Sequence, residues 1–425
     1  MARITGSATL RLRRPTGYPV GVSTMGSRRV RIRFSGVAGI LTILAAPGHG
    51  LPPPHPVNCP TPWRASVPTS LRSGEGMDKI EVGILGATGT VGQRFIQLLE
   101  NHPWFKATWL AASDRSAGKT YGEATAWQLE GPPPAEAVGR TVEECVPGKG
   151  PRLVFSSMSG SLAGEIERDF AAAGHIVVSN SSHYRMAADV PLLVPEINPG
   201  HLGLLATQRR ERGWTGAIVT NPNCAAVVLV MPLAALKPFG IKRVLVTTFQ
   251  AVSGAGYPGV PSLDILGNVI PYIGGDEEKK LESETQKILG DLDGDRIHPL
   301  PFLVSANCNR VPTIDGHLVT ASVELERKAS REELLDALAA FSGLPQERNL
   351  PSAPKRPIHL MDAPDRPQVR KDAGIERGMA TAVGRFRECN VLDWKFAALS
   401  HNVLRGAAGA AVLNAEMMKS EGLIG

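Results

Sequence analysis

Residues 79–101 read KIEVGILGATGTVGQRFIQLLEN, and the order of residue types in this stretch decides the fold. The first seven, Lys-Ile-Glu-Val-Gly-Ile-Leu, read as a buried strand, and from Val91 onward the apolar residues recur at helical spacing. Between the two stands Gly86-Ala87-Thr88-Gly89-Thr90-Val91-Gly92. Glycine meets three needs there: a tight turn, approach of a pyrophosphate with no side chain in its way, and close packing of helix on strand. The N–H groups at the helix start then face the anion. Glycine-rich turns are common, so the string alone is weak; placed between a strand and a helix near the start of a domain, it marks a dinucleotide site.

Working outward, a second strand is expected over 106–112, followed by Ser113-Asp114-Arg115-Ser116. An acid at this strand end holds ribose hydroxyls in NAD sites, whereas Arg115 nearby, with Ser113 and Ser116, suits the 2′-phosphate of NADP. The reading favours NADP(H); Asp114 keeps NAD open, and a solvated loop charge is the plain alternative for Arg115. Strands over 152–156 and 175–179, with a helix over 163–173 between them, continue the alternation. The fold class is α/β, a Rossmann-like doubly wound parallel sheet.

The formal charge of +6 is unevenly spread. Residues 1–76 hold ten Arg, no Lys and only Glu75 as an acid, which leaves 36 basic against 39 acidic residues beyond them. A nucleic-acid-binding surface therefore loses its support. No run approaches the roughly 20 apolar residues of a membrane span. The first 76 residues show no sustained period and read as a disordered or mis-assigned extension, with Met77 as the start; a signal or transit peptide is the competing reading. Five widely spaced cysteines, without a paired motif, point to a reducing cytoplasm and no metal site.

The most informative segment is Asn221-Pro222-Asn223-Cys224, followed by an apolar helix-forming run to residue 236. Asn and Pro stop a strand and cap a helix, so Cys224 is expected in the first helical turn, where a thiolate is favoured and nucleophilic. For Cys145, Cys308 and Cys389 the expectation is a small buried core residue. A thiolate attacking a carbonyl needs a proton shuttle and an anion clamp. Arg310 and His317 flank Asp315-Gly316, a turn signal between two extended runs, so a hairpin there would bring both to one site. His317 alone, sharing a strand face with Val319, Ala321 and Val323, would be a satisfied core histidine.

These residues resemble the aspartate-semialdehyde dehydrogenase family, in its archaeal and fungal branch, from about Met77 to the C-terminus. The pieces that carry the resemblance begin with residues 86–92, Ser179-Asn180-Ser181-Ser182-His183-Tyr184-Arg185, Val194-Pro195-Glu196-Ile197-Asn198-Pro199 and Asn221-Pro222-Asn223-Cys224. They continue with residues 250–256, residues 310–317, and His401-Asn402-Val403-Leu404-Arg405-Gly406-Ala407-Ala408-Gly409. The resemblance implies attack of Cys224 on L-aspartyl 4-phosphate and reduction of the thioester by NADPH, a step toward lysine, threonine and methionine. It implies His317 as general acid and base, Gln250 orienting the acyl group, and Arg310 on the substrate carboxylate. Glu277 would meet the ammonium, Lys280 and Arg185 the phosphate, with Asn223 a donor near it. Within Asp276-Glu277-Glu278-Lys279-Lys280 the register could shift by one, and a solvated charged helix is the plain alternative. For the cofactor the resemblance adds Asn402 and the 406–409 loop, so that the C-terminal helix returns to the first domain.

The domains implied are 77–222 for the dinucleotide, completed by 400–425, and 223–399 for catalysis and dimerisation, of the glyceraldehyde-3-phosphate-dehydrogenase-like type. At least a homodimer, or a homotetramer, is expected. Malonyl-CoA reductase and N-acetyl-glutamyl-phosphate reductase are rival enzymes, the latter disfavoured by Asn223-Cys224-Ala225-Ala226; a dinucleotide-binding regulator without catalysis is the rival outside enzymes.

Overall fold

The structure of the protein, a computed structural model, describes residues 21–25, 29–33, 78–158 and 160–425. Cys59 and most of the 1–76 extension lie outside the described residues. In that extension, where no period was expected, Gly21–Met25 pairs antiparallel with Arg29–Arg33. The strict alternation Arg29-Val30-Arg31-Ile32-Arg33 is the strand period that the expectation passed over. This hairpin belongs to a unit of its own, Met1–Gly74, separate from Glu75–Gly425.

Within the larger unit the chain first builds a parallel six-stranded sheet from β1 (Ile80–Leu85), β2 (Phe105–Ala112), β3 (Val142–Glu144), β4 (Leu153–Ser156), β5 (Ile176–Ser179) and β6 (Ala217–Thr220). Its order, β3-β2-β1-β4-β5-β6, is that of a doubly wound dinucleotide-binding sheet. The order reverses between β1 and β4, and the crevice at their carboxyl ends is where such sheets bind ligands. Helix α1 (Thr90–Leu99) follows β1 through the glycine turn, and α2 (Gly160–Ala172) follows β4. Gly86 takes φ +76°, and a Cβ on Gly92 would stand 2.3 Å from the Gly86 carbonyl oxygen, so glycine is obligatory at both.

Helix α3 (Cys224–Leu236) leaves the first sheet for the second. It is apolar all round and almost wholly buried, as a helix enclosed on every side must be. The second sheet is mixed, from β7 (Ile241–Gln250), β8 (Leu303–Arg310), β9 (His317–Leu325), β10 (Ile358–Met361), β11 (Thr381–Glu388) and β12 (Trp394–Ser400), in the order β8-β7-β9-β12-β11-β10. Helices α3 and α4 (Glu277–Leu289) share a core with one face of it. The final helix α5 (Gly409–Ser420) packs into the core of the first sheet, with Val412, Leu413 and Met417 in one cluster with Val82 and Ile84. The expected 406–409 loop is no loop: Leu404–Ala408 forms a π-helical turn that runs straight into α5. None of the described helices is long and apolar enough to cross a membrane.

Candidate active site

Cys224 opens α3, as its lead-in demands. Asn223 is the N-cap, and its Oδ1 accepts from the Ala225 and Ala226 N–H groups at 2.8 and 3.1 Å. The expected hairpin between Arg310 and His317 does not form. Strand β7 lies between β8 and β9, pairing parallel with the one and antiparallel with the other. The Asp315-Gly316 turn serves a crossover past that strand, and its local signal could not tell a crossover from a hairpin. The expected convergence nonetheless results, because Gln250, Arg310 and His317 all stand at the same end of three neighbouring strands.

His317 Nε2 lies 3.2 Å from Cys224 Sγ. The Ala251 N–H donates to His317 Nδ1 at 3.1 Å, which keeps the ring proton on Nε2, facing the sulfur. The carbonyl of the same Ala251 accepts from Arg310 NH1 at 2.8 Å. One peptide segment thus fixes the imidazole and the guanidinium together. Among the described residues no carboxylate forms an ion pair with Arg310, so this buried cation is left for an anion brought from outside.

The charged run 276–280 has its register set by α4. Glu277 turns inward, with Oε1 accepting from Asn223 Nδ2 at 2.7 Å and Gln250 Nε2 at 3.2 Å. Lys280 lines the same cleft and donates to the Gly275 carbonyl, while Lys279 faces solvent beside Asp276 and Glu278 accepts from the Cys308 N–H. Asn223 gives one side-chain N–H to Glu277 and its backbone N–H to Glu284, and it lines the cleft with a second side-chain N–H to spare. Arg185 also lines the cleft, with NH1 on Glu284 and NH2 on the Asn180 carbonyl.

The cleft has a volume of about 710 Å³ and joins Cys224, Arg310 and Glu277 to Thr88, Gly89, Thr90 and Val91 of the glycine turn. Asn402 and Gly406 line it as well. Gly89 caps α1 with no side-chain bond, so the first-turn N–H groups stay open to the cleft, and the buried Thr90 hydroxyl has no partner. That donor set fits a dinucleotide pyrophosphate. Ser113, Asp114 and Arg115 are exposed at the end of β2, and none of them nor Ser116 lines this cleft. Gln93, missed in the sequence, braces the turn by donating to the Thr88 and Ala126 carbonyls.

Burial pushes the Cys224 thiol up to about 12, Glu277 adds to the push, and Arg185, Arg310 and the Ala225 N–H oppose it without prevailing. The sulfur keeps some exposure to the cleft, but it sits deep among protein atoms. The Ala225 N–H at the helix N-terminus favours the thiolate, as the position of Cys224 implies, while burial acts the other way and is the larger effect. Burial also pulls His317 down to about 3, helped by the Arg310 charge and opposed by the Gly316 carbonyl. Both shifts favour the neutral thiol and the neutral imidazole. Of the three cysteines expected in the core, only Cys308 is buried; Cys145 and Cys389 are half-buried.

Two further features escaped the sequence reading. Glu284, on the face of α4 that carries Glu277, is buried between Arg185 and Asn223. Arg405 forms a buried two-pronged pair with Glu196 at 2.8 and 2.9 Å, one residue before Gly406. Charged residues spaced seven apart on one helix face were the available signal for Glu284. For Glu196 and Arg405 no local signal existed.

Residues 81–204 match the family model described as semialdehyde dehydrogenase, NAD binding domain, and residues 230–405 that of semialdehyde dehydrogenase, dimerisation domain. Fold and site together therefore define a semialdehyde dehydrogenase. The aspartate-semialdehyde dehydrogenase of Archaeoglobus fulgidus is 49% identical over 351 residues, 81% of this chain and 100% of that one. That of Schizosaccharomyces pombe is 47% identical over 354 residues, 81% of this chain and 99% of its own. The crystal structure of aspartate semialdehyde dehydrogenase with NADP from Candida albicans matches with a TM-score of 0.76 at 42% identity, covering 81% of this chain and 99% of that one. Aspartate semialdehyde dehydrogenase II complexed with ASA from Vibrio cholerae matches at 0.64 and 28% identity, with 81% and 99% covered. The chain belongs to the aspartate-semialdehyde dehydrogenase family.

Proposed function

We propose that this protein reduces L-aspartyl 4-phosphate to L-aspartate 4-semialdehyde and phosphate with NADPH, through a thioester on Cys224, in the synthesis of lysine, threonine and methionine. The observation that carries the reading is the 3.2 Å approach of Cys224 Sγ and His317 Nε2 in one cleft with the glycine turn. The names of the relatives and the NADP of the Candida albicans structure support the substrate and the cofactor.

In this reading Arg310 holds the substrate carboxylate with its planar fork, and the free Oε2 of Glu277 meets the ammonium. Lys280 and Arg185 receive the phosphate. Gln250, tied to Glu277, orients the acyl group. The thiol gives its proton to His317, the sulfur bonds to the acyl carbon as the bond from that carbon to the phosphate oxygen breaks, phosphate departs, and the thioester is left on Cys224. NADPH, when bound over the glycine turn with Arg115 on its 2′-phosphate, supplies the hydride that reduces the thioester. His317 meets each oxyanion and the departing sulfur with the Nε2 hydrogen it already presents; to act as base toward the thiol it must first release the Ala251 N–H.

The division into a dinucleotide part, 77–222 with 400–425, and a catalytic part, 223–399, belongs to the same proposal. So does a homodimer formed through the outer face of the second sheet, where Leu245 and Leu303 are exposed and a shallow hollow of about 550 Å³ lies over β7, β9 and β12. Four free thiols among the described residues suit a reducing cytoplasm. The test is absorbance at the nicotinamide band with aspartate semialdehyde and phosphate, first with NADP and then with NAD. Phosphate-dependent reduction of NADP supports the reading, and CoA-dependent turnover of malonyl-CoA in its place refutes it.

A further inference from the structure

Helix α4 sends three side chains into the site region from one face. Glu277 reaches Asn223 and Gln250. Seven residues on, Glu284 accepts from Arg185 NH1 with Oε1, at 3.1 Å, and from the Asn223 backbone N–H with Oε2. Three further on, Lys287 Nζ donates to the carbonyls of Arg185, Ala187 and Val190 at 2.7, 2.8 and 2.8 Å. Glu284 is 1% exposed and faces no solvent. A buried carboxylate between two donors costs desolvation that only well-directed hydrogen bonds offset, so its geometry is tightly held.

We propose that Glu284 is the positioning residue of the anion end of this site, a single carboxylate that fixes the Arg185 guanidinium relative to the peptide that carries Cys224. The inference rests on the reading of Arg185 as a phosphate ligand. Residues 185 and 223 come from different loops, at the ends of β5 and β6, and the Oε1 and Oε2 contacts bind both loops to α4. NH1 and NH2 each spend one hydrogen, on Glu284 and on the Asn180 carbonyl, which leaves each with a second N–H for an incoming anion. The phosphate would then meet a guanidinium already aimed at it, at a set distance from the sulfur.

Glu284→Gln tests this, because glutamine has one acceptor oxygen where both neighbours donate, so either Arg185 or Asn223 faces an amide NH₂. The readout is protection of Cys224 from iodoacetamide by inorganic phosphate, measured on the full chain. The account expects the wild type to be protected and the variant to need on the order of tenfold more phosphate, with KM for phosphate rising alike and KM for NADP unchanged. Equal protection of both proteins overturns the proposal while leaving the phosphate site intact; no protection of the wild type overturns the phosphate reading and the proposal with it. A variant that loses kcat and thermal midpoint with KM for phosphate unmoved shows a merely structural role, which also overturns it. Should Glu284→Gln not fold, a crystal structure of the wild type with phosphate decides. Arg185 on the phosphate with NH1 still on Glu284 supports the proposal, and Arg185 swung away from Glu284 refutes it.

Discussion

Gly406 stands so close to Cys224 that a Cβ on the glycine would lie 2.6 Å from the cysteine Cβ. The π-helical turn from Leu404 to Ala408 therefore forms the wall against which the nucleophile rests. Arg405, in the same turn, is anchored to Glu196, and Asn221 donates to the Ala407 carbonyl. The reactive sulfur is placed as much by the end of the chain as by its own helix.

Gly406→Ala should consequently displace Cys224 by several tenths of an ångström or more. A displacement approaching 1 Å costs about 10²-fold in rate, so kcat is expected to fall by that order while the protein remains folded. Steady-state kinetics beside a circular-dichroism melt would check this, and an unchanged kcat would show that the wall yields.

The ionisation state of the sulfur gives a second expectation. With the thiol pushed up to about 12 and His317 held down to about 3, alkylation of Cys224 by iodoacetamide should rise with pH through 9 and show no plateau near neutrality. A rate already at its plateau by pH 6.5 would mean a thiolate–imidazolium pair and contradict the geometry around Ala251.

For Arg310 the fork matters as well as the charge. Arg310→Lys keeps the cation but loses the paired N–H groups, and the loss of a charge-assisted bond is about 1.5–3 kcal/mol, or roughly ten- to a hundredfold in kcat/KM for aspartate semialdehyde. KM for NADP should stay where it was; a parallel rise in both constants would assign Arg310 to folding.

The buried pair of Arg405 and Glu196 should appear in stability. Glu196→Gln leaves the guanidinium uncompensated, and breaking such a pair costs about 3–5 kcal/mol. A urea titration would read this directly, and a midpoint equal to that of the wild type would show the pair to be dispensable.

Arg115 is expected on the 2′-phosphate from its position after β2, and it stands exposed there, outside the cleft that holds Cys224. Arg115→Ala should raise KM for NADP on the order of tenfold and leave that for NAD unmoved.

What the sequence disclosed was what local chemistry determines. Gly86 and Gly92 announce the β1–α1 turn because the backbone there tolerates no other residue, and Asn223 announces the start of α3 because an N-cap is a contact within three residues. The misreadings were nonlocal. The strands ending at Arg310 and beginning at His317 look like a hairpin until β7, more than fifty residues upstream, is inserted between them. The helix-terminal effect on Cys224 was legible, but the burial that outweighs it comes from segments far along the chain. Glu284 went unseen for the same reason, since its partners lie 99 and 61 residues away.

The covalent step can be observed by itself. Mixed with aspartate semialdehyde and NADP without phosphate, the protein should release one burst of NADPH, no more than one equivalent per site, and intact-mass and peptide mass spectrometry should find the acyl group on the peptide bearing Cys224. No burst, or an acyl group on any other residue, would contradict the role given to this sulfur.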